Sequence, residues 1–156
     1  MKRQRSSRLP PDPVFFTDRD LGRIVPDALE AAGVRVERHD AHFSPTTLDV
    51  EWLEHVGRHG WIALTHNKEI RYNPQERDMV MRAGVPLFML IGHHTHPVLA
   101  RNLVNTLSRI LAFLDANAAP FIARVYKAQP AAFDAGKPGR VDLWLSYDKW
   151  RQRYED

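Results

Sequence analysis

The chain contains no cysteine. Disulfides, thiolate metal centres and a thiol nucleophile are therefore excluded. It also lacks any apolar run long enough to cross a bilayer, which takes about 20 residues. The first residues are basic, but no apolar stretch follows them, so the N-terminus does not read as a secretory signal. Together these absences point to a reducing cytoplasm and to no membrane partner. No internal repeat or composition break divides the sequence. What is present is ordinary for a globular domain: 156 residues, 44% apolar and 26% charged, enough for one proper core. The formal charge of +3 is unevenly spread. Lys2, Arg3, Arg5 and Arg8 open the chain without an acid among them, and Lys149, Arg151 and Arg153 gather near its end. Residues 1–13, closed by Pro10, Pro11 and Pro13, read as a basic arm, either a solvated tail or one that follows nucleic-acid phosphates. Residues 14–156 are expected to form a single domain.

Hydrophobic patterning predicts strands at residues 14–17, 34–37, 61–65 and 86–91. The third and fourth are apolar throughout, as strands covered on both faces should be. Helices are expected at residues 21–32, from a cap at Thr47 or Asp49 to residue 59, at 74–83 behind an Asn73 cap, and at 97–117. Pro26 lies near the true start of the first of these, and Gly33, Gly60 and Gly84 serve as stops. Residues 39–47 read as a loop. Residues 121–126 and 140–145 alternate like half-exposed strands, and the polar stretch 128–139 between them predicts an antiparallel pair at a sheet edge. Strand–helix alternation up to residue 117 argues for an α/β domain with a mostly parallel sheet.

The organising stretch is residues 14–21, a short apolar strand followed by Asp18 and Asp20. In an open parallel sheet, ligands bind at the C-terminal ends of strands. That rim gathers Asp18 and Asp20, then Thr65, His66, Asn67 and Lys68, then His93, His94 and His96, with Asp49 and Glu51 close enough to overhang it. Two carboxylates there suit a hard divalent cation, which activates water in phosphodiester hydrolysis. The histidines at 93, 94 and 96 offer a rival transition-metal site, but two adjacent imidazoles do not readily face one ion. A solvated loop, or contact with substrate phosphates, fits them equally. His39 and His42 carry the same ambiguity. Trp52 and Trp61 fit helix–sheet packing. Tyr72, Tyr126, Trp144, Tyr147 and Trp150, set among basic residues, read either as packing or as stacking platforms for single-stranded bases. The stretch 144–154 equally reads as a C-terminal helix against the sheet or a partner.

The order Phe-Thr-Asp-Arg-Asp-Leu (16–21), Asp-Val-Glu-Trp-Leu (49–53) and Leu-Thr-His-Asn-Lys-Glu-Ile-Arg-Tyr-Asn-Pro (64–74) resembles the PIN-like domains of VapC-type toxins, in the branch with a D-x-D-L opening and a T-x-D-K block. The likeness runs over residues 14–126. It implies a three-layer α/β/α PIN-like domain and a magnesium- or manganese-dependent endoribonuclease. It also implies RNA as substrate, a small antitoxin protein as partner, and a homodimer as a common state. By the same resemblance Asp18 is the first-strand acid of the metal site and Asp20 its neighbour. Asp49 and Glu51 both stand as candidates for the helix-borne acid, and Glu76 supplies a late acid. Thr65 orients a ligand, and Lys68 or Arg71 holds a phosphate. One departure matters: Asn67 stands where the pattern has aspartate. It offers a carbonyl oxygen but no negative charge, and site affinity depends on ligand charge. A catalytically impaired protein that binds RNA or a partner is therefore the second reading. A phosphoacceptor signalling domain ranks last, because the acidic pair it needs before Asp18 is missing and Lys127 alone does not carry it.

Overall fold

The computed structural model describes residue 9 and residues 11–154, so the expected basic arm falls almost wholly outside the described residues. Six strands form one sheet in the order β2-β1-β3-β4-β5-β6. They are β1 (Val14–Thr17), β2 (Arg35–Arg38), β3 (Ile62–Thr65), β4 (Pro86–Leu90), β5 (Phe121–Val125) and β6 (Val141–Ser146). All neighbours pair in parallel except β5 and β6, which are antiparallel. The α/β class, the mostly parallel sheet and the antiparallel edge pair are as the sequence implies.

Alternation along the strands divides two apolar layers. On one face Phe15, Ile62, Leu64, Phe88 and Ala123 meet Val25 and Leu29 of α1 (Ile24–Ala31) and Leu99, Leu103 and Ile110 of α5 (His96–Ala116). On the other, Phe16, Ala63, Leu87 and Ile122 meet Trp52, Leu53 and Val56 of α3 (Asp49–His59) and Val80 and Met81 of α4 (Pro74–Ala83). Trp150 of α7 (Tyr147–Tyr154) completes that second layer. Its indole Nε1 donates to Asp78 Oδ1 at 2.8 Å. Of the two roles open to the C-terminal stretch, packing on the sheet side is therefore realised.

Local differences from expectation have local causes. The helix expected from residue 21 begins at Ile24, because Asp18 first caps a tight turn at Arg19–Leu21. Neither Thr47 nor Asp49 caps α3; Leu48 holds the cap position without a side-chain bond, and Asp49 is the first helical residue. The loop after β2 contains a single helical turn, α2 (His39–His42), where the buried His39 packs on Phe16 and Phe43. A second short helix, α6 (Pro130–Asp134), interrupts the loop before β6. Asn73 does cap α4, accepting from Glu76 N at 3.1 Å. Gly60 and Gly84 close α3 and α4 in the left-handed conformation that glycine adopts without strain.

Helices α3 and α4 touch at Gly57. A β-carbon there would lie 2.2 Å from the carbonyl oxygen of Ala83. Alanine would gain about 1 kcal/mol in helix propensity, but it would have to push one backbone off another. We expect Gly57→Ala to cost about 2 kcal/mol net, read as a lower urea midpoint at unchanged slope. A midpoint equal to wild type would show that the two helices separate freely.

Candidate functional site

The chain leaves β1 through α1 toward β2, and leaves β3 in the opposite direction through α4 toward β4. Where neighbouring strands diverge in this way, a crevice opens at their C-terminal ends. Asp18 and Thr65 stand at its two lips. The Asp18 amide donates to Leu64 O at 3.0 Å, so the residue is fixed by the sheet itself. Its Oδ2 accepts from Thr65 Oγ1 and its Oδ1 from the Arg19 amide, both at 2.7 Å. Thr65 Oγ1 in turn accepts from the Asn67 amide at 2.9 Å. One hydroxyl thus ties the loop after β3 to the acid after β1. Among the residues named from sequence, Thr65 is the one that positions Asp18.

Asp18 is only 7% exposed. Burial, and then the charge of Asp20, push its carboxyl up to about 7, against the two hydrogen bonds that favour the anion. Asp20 presents more than a third of its surface to solvent, yet the protein packed around its carboxyl still raises it; the His66 amide hydrogen bond acts in the other direction. That bond, from His66 N to Asp20 Oδ1, is 3.3 Å long. Asp49 also acts on both Asp18 and Asp20, raising each. Glu76 is raised by burial, then by the charge of Asp49, and shares a hydrogen bond with it. Asp18, Asp20, Asp49 and Glu76 therefore form one electrostatic group. None of the four forms a salt bridge with lysine or arginine among the described residues.

The two helix-borne candidates separate in the structure. Asp49 lies on the buried side of α3, where Oδ1 accepts from Trp52 Nε1 at 2.8 Å and Oδ2 from Asn67 Nδ2 at 3.3 Å. Glu51 points to solvent and has no described contact with the group. The indole of Trp52 is the functional contact that a packing-only reading of that residue missed. The signal was present, because residues three apart share a helix face. Asn67 is more constrained than its sequence role suggested. Its Oδ1 accepts from the Glu69 amide at 3.0 Å, which a backbone N–H can only donate to. The amide NH2 is therefore the end turned toward Asp49. In this arrangement Asn67 presents donors to the site, and its carbonyl is occupied in the turn at Lys68–Arg71.

The histidines do not converge. His96 Nε2 lies 3.0 Å from the carbonyl oxygen of Asp20, and His66 Nε2 lies 2.6 Å from that of Gly92. His93 lines a cleft of about 450 Å³ with His66, Lys68 and Arg71. Burial, and then Lys127, lower His94. His42 bonds Glu37 at 2.7 Å, away from the acids. Among the described residues, no group of three histidine, aspartate or glutamate side chains already encloses a metal-sized space. The donor set is nonetheless made of carboxylate oxygens, the ligand type that hard divalent cations take. Asp18, Asp20, Asp49 and Glu76 are the residues that would hold it, and Lys68 and Arg71 face the adjoining cleft.

Comparison with known proteins bears on the fold. A family model described as a PIN like domain matches residues 13–92, just over half of the chain and less than the sequence resemblance had spanned. The chain is also 35% identical over 79 residues to the Mycobacterium tuberculosis protein named "Putative ribonuclease VapC45". That match takes in 47% of this chain and 57% of the relative, so less than two thirds of the relative's length is covered. No solved structure gives a significant match. No helix among the described residues is long and apolar enough to cross a membrane. The strand-end acid, the α3 acid and the Thr65 block all fall inside the matched region, and the chain belongs to the PIN-like domain family.

Proposed function

We propose that the protein is a divalent-metal-dependent endoribonuclease and the toxin of a VapBC-type pair. Its substrate is RNA, its partner a small antitoxin protein, and its setting the cytoplasm. Residues 14–156 act as one PIN-like unit, with a homodimer as the working assembly. The observation that carries the reading is the group of four carboxyls with no lysine or arginine salt bridge among the described residues, Asp18 raised to about 7, beside a cleft lined by Lys68 and Arg71. Folding such charge together without compensation is costly, and a hard cation is the simplest compensation. Bound there, magnesium or manganese would supply an activated water and neutralise charge on the phosphate. The chain's own residues position that chemistry. Thr65 holds the Asp18 carboxylate, Trp52 and Asn67 hold Asp49, and Lys68 and Arg71 receive the phosphates.

The test is cleavage of a mixed RNA pool with magnesium or manganese, against the same reaction in chelator. Identical RNA profiles in both would sink the enzyme reading. Asn67 motivates the second reading, an impaired PIN-like protein that binds RNA or a partner, because its NH2 donors occupy the side facing Asp49. Asn67→Asp restores the family acid and adds a charge. We expect it to tighten manganese binding by about tenfold in a calorimetric titration and to raise cleavage. If it raises cleavage from an undetectable level, the impaired reading describes the natural chain. Weaker manganese binding would show that Asn67 is needed as a donor to Asp49.

A further inference from the structure

Arginine and aromatic side chains alternate outward from the cleft across the edge pair β5–β6. Arg71 lines the cleft, and its guanidinium lies 4.7 Å from the ring of Tyr72 and 5.8 Å from that of Trp144. Those two rings meet edge to face at 6.0 Å and 89°. Arg124 lies within electrostatic reach of both Tyr72 and Tyr126, with its guanidinium 5.6 Å from the Tyr126 ring. Arg140 covers the same ring at 4.2 Å. Tyr72 is 59% exposed. Arg71 Nε, although shielded from solvent, has no hydrogen-bond acceptor.

Two features of the fold hold this strip in place. Arg124 and Asp142 are paired across the strands, joined at 2.8 Å, and Arg140 approaches the same carboxylate at 3.6 Å. The sheet irregularity between Ile122 and Ala123 lies where β6 carries Trp144 toward the α4 side. The buried Asn102 of α5 fixes the chain after β5, donating to Tyr126 O at 3.0 Å and accepting from Ala128 N at 3.1 Å. Arg124 and Arg140 thus share one carboxylate, Asp142, while Arg71 stands at the cleft end of the strip, where Glu69 also lines the wall. A core-directed role does not require Tyr72 to be exposed, and the Arg124–Asp142 pair does not require a second arginine beside it.

We infer that this strip, Arg71–Tyr72–Trp144 continuing to Arg124–Tyr126–Arg140, is a binding track for single-stranded RNA that stacks unpaired bases outside the acidic centre. Aromatic and guanidinium planes accept any base, and the arginines follow the phosphates. The inference rests on the nuclease reading and adds to it the surface that receives the strand and a direction of approach over the β5–β6 edge.

The test uses the full chain carrying Asp18→Asn, so that bound RNA is not consumed. Its binding to a fluorescent, uridine-rich single-stranded oligoribonucleotide is followed by anisotropy, beside duplex RNA and inorganic polyphosphate. We expect Tyr72→Ala to weaken single-strand binding about tenfold, Tyr72→Phe to keep it within about twofold, and polyphosphate binding to change little. Equal affinities for Tyr72→Ala and its parent would overturn the track. So would equal losses on RNA and polyphosphate, or no single-strand binding by the parent, including the case where the strip binds only a protein partner. Cleavage by the otherwise unaltered chain separates the two claims. Cleavage with no Tyr72 effect removes the track and keeps the nuclease; a Tyr72 effect without cleavage does the reverse.

Discussion

Asp18→Asn is expected to lower metal-dependent RNA cleavage by about a thousandfold, equivalent to several kcal/mol of lost charge stabilisation, while the protein stays folded. The substitution keeps the shape of the side chain and removes its charge. Of the two oxygens that accept from Thr65 and the Arg19 amide, one becomes an NH2. That costs about 1 kcal/mol of hydrogen bonding. Against it, a buried charge that repels Asp20 and Asp49 is gone. The expected result is a chain with native circular dichroism, undiminished stability at neutral pH and no manganese-stimulated cleavage on a gel. Cleavage within about threefold of wild type would remove Asp18 from the site.

The second large effect concerns stability and its dependence on pH. Asp18 has an ordinary value of 3.8 and is raised to about 7 in the fold. Between those values the folded state holds a proton that the unfolded state has released. Stability is therefore fully present below about pH 4 and is lost as pH rises toward 7. The loss is on the order of 4 kcal/mol for a shift of this size. Asp20 and Glu76 are raised as well and act in the same direction. Three histidines oppose them. Burial lowers His39, His55 and His94 from 6.5, so what they contribute is present above 6.5 and is lost as pH falls below it. Denaturation in chelator is thus expected to show a metal-free protein whose acidic-group contribution falls as pH rises from about 4 to about 7, with the histidines working against that fall below 6.5, and whose stability levels off above pH 7. Magnesium or manganese binds the ionised carboxylates of the folded state, so it should raise the unfolding temperature strongly at pH 8 and little at pH 5. Asp18→Asn should flatten the fall between about pH 4 and 7 and remove most of the metal response. Equal metal stabilisation at both pH values would show that the ion binds elsewhere.

Much of this could be read from local chemistry. The run from Val14 to Thr17 announces β1 by composition, and Asn73 with Pro74 announces the start of α4. The sheet-edge reversal was legible in the alternation of β5 and β6 around a polar stretch. The choice between Asp49 and Glu51 was also legible in principle. Residues 49, 52, 53 and 56 share the α3 face that buries Trp52, Leu53 and Val56, and 51 does not. What sequence could not supply depends on distant partners. The turn at His39–His42 has no apolar period of its own and forms against Phe16. The orientation of the Asn67 amide is set by Glu69 on one side and Asp49 on the other. The position of His96 is set by the Asp20 carbonyl, 76 residues earlier in the chain.

The hydroxyl of Thr65 that holds Asp18 bridges 47 positions of sequence. Asp49 and Glu76 join only when α3 and α4 have packed. A growing chain therefore carries its first acid long before it owns a site, and a partly made sheet is inert. Only after residue 76 has left the ribosome, and β1 and β3 have paired, do the four carboxyls meet. On the nuclease reading proposed above, that order of assembly would spare the message and the machinery translating it until synthesis had passed the site, because the partners of the first acid lie so far along the chain.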